Sequence, residues 1–111
     1  MMMFRVFIIL FCVVFCTATL AKPVEITFWH SMAGQLGVEI ERITAGFNAS
    51  QDEFKIKPVY KGDYIETLTG FAAAYRAGQP PAMIQIVEMG TKVVLNPKGI
   101  IKPVDTLMNE Q

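Results

Sequence analysis

The feature that most constrains this chain is an alternation of two periodicities. Val24-Glu25-Ile26-Thr27-Phe28-Trp29, Phe54-Lys55-Ile56-Lys57-Pro58-Val59-Tyr60 and Ala82-Met83-Ile84-Gln85-Ile86-Val87 read as strands. The first two alternate apolar and polar residues; the third is a mostly apolar run that suits a buried parallel strand. Between them lie segments of helical period. Leu36, Ile40, Ile43 and Phe47 recur at spacings of four, three and four, which predicts a helix over 35–47 with these residues on its buried face. Ile65, Leu68, Ala72 and Tyr75 do the same for a helix over 64–76. Strand, helix, strand, helix, strand implies right-handed βαβ crossovers and a parallel sheet with flanking helices, an α/β fold.

Local chemistry sets the boundaries. Asp63 is a fair N-cap for the second helix, and Glu66 three residues on completes a capping-box spacing. Gly78 suits a left-handed C-cap, and Pro80-Pro81 forbids continuation. Pro58 removes a ladder donor, so the second strand has a bulge or lies at a sheet edge. A short helical piece is expected over 92–95 and a last turn over 104–108.

The first 21 residues follow another logic. Arg5 precedes the ten-residue apolar run Val6 to Phe15, and Ala21 ends the segment. A basic start, a short apolar run and a small exit residue predict a secretory signal peptide over 1–21. The rival reading, a membrane anchor, needs about 20 apolar residues. Both cysteines, Cys12 and Cys16, lie inside the segment. A mature chain over 22–111 would hold no disulfide or cysteine metal site. Without Arg5, nine of the ten basic residues remain against ten acidic ones, a balance that excludes a nucleic-acid footprint.

In open α/β sheets, ligands bind beyond the carboxyl ends of the strands. Three groups are expected there: Trp29-His30-Ser31, Asp63-Tyr64, and Glu88. Tyr64 offers a ring and a hydroxyl; Glu88 offers a pair of acceptors for ligand hydroxyls. Each also has an ordinary structural reading, as a packed helix-start tyrosine and a solvated glutamate. His30, Ser31 and Glu88 suggest a hydrolase only weakly, since no G-x-S-x-G elbow is present. No metal-ligand spacing and no G-x-G-x-x-G or Walker loop appears, so no cofactor is expected.

Several blocks come in a telling order: Phe28-Trp29-His30-Ser31-Met32, Phe47-Asn48-Ala49, Tyr60-Lys61-Gly62-Asp63-Tyr64, Ala73-Ala74-Tyr75-Arg76-Ala77-Gly78, and Pro81-Ala82-Met83-Ile84-Gln85-Ile86-Val87-Glu88-Met89-Gly90-Thr91. In these blocks the chain resembles the start of the periplasmic solute-binding proteins that serve sn-glycerol-3-phosphate ABC importers. The resemblance implies a two-lobed fold, of which residues 22–111 would be an incomplete N-terminal lobe. It implies a small-molecule ligand, sn-glycerol-3-phosphate or a glycerophosphodiester, held in a cleft in the periplasm. It also implies ABC transporter membrane subunits as partners, no enzymatic activity, and Tyr64 and Glu88 as ligand-contacting residues. The family's second lobe and phosphate-clamping arginine have no counterpart in the sequence. Competing readings are a remnant without binding competence and a small exported module that pairs through an unfinished sheet edge.

Overall fold

The computed structural model describes residues 22–110; the predicted signal segment 1–21 lies outside them. The elements are β1 (Val24–His30), α1 (Gly34–Ser50), β2 (Phe54–Tyr60), α2 (Tyr64–Arg76), β3 (Met83–Ile84), α3 (Glu88–Leu95) and α4 (Val104–Asn109). The three strands form one parallel sheet in the order β2-β1-β3. The expected α/β architecture is therefore present. No helix among the described residues is long and apolar enough to cross a membrane.

The β1–β2 register is unbroken from Val24↔Phe54 to His30↔Tyr60, so Pro58 marks an edge and causes no bulge. In a parallel ladder, alternate residues of a strand bond to the neighbour and the others face away. Val24 N–H bonds to Glu53 O and Lys61 N–H to His30 O, so the odd residues of β2 bond to β1. The even residues turn their backbone groups outward, and side chains meet them. The Gln51 carboxamide bonds Phe54 N–H (2.7 Å) and Phe54 O (2.6 Å). The Asn48 carboxamide does the same for Ile56, at 2.7 and 2.8 Å. Pro58 has no donor to offer. Side chains of the flanking segment thus cap the outer edge of β2 at Phe54 and Ile56.

In the order β2-β1-β3, the β1–β2 and β2–β3 crossovers run in opposite directions. Right-handedness then puts α1 and α2 on opposite faces of the sheet. Gly70 of α2 lies against Trp29, where an added Cβ would stand 3.8 Å from Cζ3. The helix termini behave as their sequence dictates. The Asp63–Glu66 capping box is complete, with both bonds at 2.8 Å. Gly78 adopts φ 71°, and its N–H and that of Gln79 return to Tyr75 O and Ala74 O, a Schellman closure.

The helix faces differ from those predicted. Leu36, Ile43 and Phe47 of α1 are exposed, while Thr44 is buried and Gly37, Ile40 and Asn48 are half-buried. The sheet side is thus turned about 75° from the apolar stripe, roughly a fifth of the helix circumference. Thr44 tolerates burial because its hydroxyl donates to Ile40 O at 2.8 Å. In α2, Thr67 and Phe71 are buried and Leu68 and Ala72 half-buried as predicted, whereas Ile65 and Tyr75 are exposed. The buried side chains among the described residues are Phe71, Val94, His30, Thr44 and Thr67. An apolar core of Phe71 and Val94 is small for a chain this size, and much apolar surface stays exposed.

β3 is also shorter than the predicted 82–87. Gln85 N–H bonds to Trp29 O at 2.8 Å, and the next rung would join Ser31 N–H to Gln85 backbone O. Ser31 N–H instead donates to the Gln85 side-chain oxygen at 3.0 Å. The side chain replaces the rung and the ladder stops. Ile86 and Val87 are then free to lead into α3, which starts at Glu88 and not at 92.

Candidate functional site

The carboxyl ends of β1, β2 and β3 meet the first turns of α2 and α3. Ser31 ties them together. Its hydroxyl lies 2.7 Å from the Thr67 hydroxyl and donates to Asp63 O at 3.2 Å, while its N–H holds Gln85. One residue after β1 thus fixes the start of α2 and the end of β3.

Beside this knot is a cleft of about 170 Å³, lined by Tyr64, Leu68, Gln85, Val87 and Gly90 among others. Close approach of α3 to α2 forms its floor. A Cβ on Gly90 would stand 2.9 Å from Ile86 Cγ2 and 3.3 Å from Leu68 Cδ2, so a larger residue here would push the two helices apart. The wall is mostly apolar, with a few polar groups, the usual make-up of a small-molecule site.

The sequence-selected residues fare differently. Tyr64 is the first residue of α2, lines the cleft and is 41% exposed. Glu88 is exposed and begins α3; it does not end a strand as expected. Its neighbours Val87 and Met89 line the cleft, whereas Glu88 itself is not among the lining residues. A carboxylate at this position is also favoured by the helix dipole. Val87, the N-cap of α3, brings no side-chain acceptor to the first amides.

Trp29 and His30 do not reach the cleft lining. Trp29 carries Lys61 Nζ 4.2 Å above its ring, a cation–π contact that holds this lysine on the indole. His30 is buried, with ring centroids 5.7 Å from Phe28 and 6.0 Å from Tyr60. Its Nδ1 has no hydrogen-bond partner among the described residues. Ser31 bonds to α2 on the other side of the sheet, so the adjacent His and Ser form no nucleophile–base pair. Among the described residues, no group of three or more His, Cys, Asp and Glu could hold a metal.

Two participants escaped the sequence reading. Thr67 lies off the apolar stripe of its helix and carried no signal. Gln85 had a signal: it is the one polar residue in the apolar run Ala82 to Val87.

No protein-family model matches the chain. It is 50% identical over 80 residues to the sn-glycerol-3-phosphate-binding periplasmic protein UgpB of Yersinia pestis bv. Antiqua (strain Antiqua), a match over 72% of this chain and 18% of the relative. It is 42% identical over 96 residues to the UgpB of Agrobacterium fabrum, over 86% of this chain and 22% of the relative. For that of Escherichia coli O1:K1 / APEC the values are 44% over 85 residues, 77% and 19%. The chain is homologous to a part of these binding proteins. The matched part spans only 18% to 22% of the length of these relatives.

Proposed function

We propose that this chain is part of the substrate-binding component of an ABC importer for sn-glycerol-3-phosphate. It would act in the periplasm, delivering ligand to ABC transporter membrane subunits, with Tyr64 and Glu88 touching the ligand. The observation that carries the reading is the position of Tyr64 at a strand-end cleft that Val87, Met89 and Gly90, at the start of α3, also line. Homology to named glycerol-3-phosphate binders supplies the ligand class. The chemistry agrees: a tyrosine ring packs on a short carbon frame, and a carboxylate accepts from its hydroxyls. A glycerophosphodiester presents the same glycerol frame and fits the same reasoning. The reading is of a binder and not an enzyme, which the naming of the relatives as binding proteins supports.

The reading of an exported module that pairs through a sheet edge has less support. Gln51 and Asn48 cap the outer edge of β2 at Phe54 and Ile56, and the other edge strand, β3, is only 2 residues long. Calorimetric titration of the folded chain with glycerol-3-phosphate tests the proposal. Saturable heat is expected, and its absence at millimolar ligand would show that this chain does not bind by itself.

A further inference from the structure

We infer that Gln85 is a ligand-binding residue, whose carboxamide nitrogen donates to an oxygen of a polyol phosphate in the Tyr64 cleft. The inference rests on the proposed function and adds a donor that Tyr64 and Glu88 do not replace.

The two ends of the Gln85 carboxamide can be told apart. Ser31 N–H is a backbone donor, so the atom it meets at 3.0 Å must be the amide oxygen. The NH₂ group is then the free end. None of the hydrogen bonds among the described residues uses it, although the residue is half-buried and lines the cleft. Its backbone is pinned as well, since Gln85 N–H bonds to Trp29 O at 2.8 Å. A carboxamide held at its oxygen and its backbone has little rotamer freedom left to lose, so a bond from its nitrogen forms at low entropic cost.

The surroundings give that donor its value. Ile65, Leu68, Ile86, Val87 and Met89 make the cleft wall apolar. A polar donor left without a partner when a ligand displaces water there is unfavourable. The ligand group that satisfies it must carry an acceptor. Glu88, at the start of α3 beside the lining residues Val87 and Met89, would have the opposite need and take hydroxyl protons. Donor and carboxylate together select a molecule with hydroxyls at one end and hydrogen-bond-accepting oxygens at the other, which describes a polyol phosphate.

The test is Gln85→Glu in the full chain. This change keeps shape and keeps an acceptor for Ser31 N–H, but it replaces the donor with an anionic oxygen. Glycerol-3-phosphate affinity should fall about tenfold or more with the thermal midpoint nearly unchanged, as expected for losing a hydrogen bond to a charged group. Affinity within twofold of the parent would overturn the inference and leave the proposed function standing. Should the variant fail to fold, the parent suffices. In a titration followed by nitrogen–proton correlation spectra, the Gln85 side-chain NH₂ signals should shift with those of Tyr64 and Glu88. Movement of Tyr64 and Glu88 with Gln85 unmoved would overturn the inference alone. A parent whose signals nowhere respond to millimolar ligand would overturn the proposed function, and the inference with it.

Discussion

The Asn48 carboxamide bonds both backbone groups of Ile56, taking its N–H at 2.7 Å and donating to its C=O at 2.8 Å. A side chain from the last turn of a helix thus stands where another strand would otherwise pair. Edge strands with free backbone groups invite association, and this one offers none at Ile56.

Asn48→Ala should therefore act in two ways. It strips two bonds from half-buried groups, and stability should fall by about 1–3 kcal/mol in urea unfolding. It also reopens the edge, so light scattering should show self-association absent from the parent. Asn48→Asp can still accept from Ile56 N–H but sets a carboxylate against Ile56 O, and should destabilise too. Wild-type behaviour of both variants would mean the edge is not held by this residue.

The face of α1 gives a second expectation. Leu36 and Ile43 are 61% and 57% exposed. Leu36→Gln and Ile43→Gln should each change the stability of this chain by no more than about 0.5 kcal/mol, as surface substitutions do. Had the apolar stripe been the packed face, losses of about 2–5 kcal/mol would follow from lost burial. Chemical denaturation separates the two outcomes.

How far the sequence could be read follows from which forces acted locally. The extents of β1, β2 and α2 and the capping box depend on residues near in sequence, and all were legible; for Pro58 the sequence left a bulge or an edge open, and the sheet order decides for the edge. The buried faces of α1 and α2 were legible only in part: Ile40, Leu68 and Ala72 turn inward, but Leu36, Ile43, Phe47, Ile65 and Tyr75 do not. Hydrophobic period presumes that the greasiest stripe turns inward, but Gly37 does so because it is small enough to lie against the Met32 backbone, and Asn48 because it satisfies an edge. β3 was overread for a related reason. Ile86 and Val87 have strand character, yet the Gln85 side chain replaces a backbone rung 54 positions away from it, at Ser31. The same long-range bond displaced Glu88 from a strand end to a helix start. Tyr64 lay where its N-cap signal put it.

The turn before α2 should be sensitive to small changes. Gly62 holds φ 90°, a left-handed conformation that side chains resist, and an added Cβ would also strike the Glu66 carboxylate. That carboxylate is engaged, bonding Asp63 N–H at 2.8 Å. Gly62→Ala should lose about 1–2 kcal/mol from backbone conformation alone. Asp63→Ala should lose about 1 kcal/mol as the cap is removed. If the capping box is one unit, the double variant should lose less than the sum. Strict additivity in a double-mutant cycle would count against that coupling.

Tyr64 begins the helix that this turn starts, and its ring and hydroxyl can be tested separately. The ring is 41% exposed, so little of the fold depends on it. Tyr64→Phe keeps the surface that would pack on a glycerol frame and removes only a neutral hydrogen bond. Affinity for glycerol-3-phosphate should drop about threefold to tenfold, matching roughly 1 kcal/mol. Tyr64→Ala removes the ring as well and should bind more weakly still. Glu88→Gln keeps one acceptor but loses the charge, so its loss should exceed that of Tyr64→Phe, because bonds to charged groups are stronger. All three should unfold within about 0.5 kcal/mol of the parent, as exposed positions do. The ordering matters more than any one value. Equal affinities across the three variants would remove Tyr64 and Glu88 from the site, whatever ligand the cleft holds.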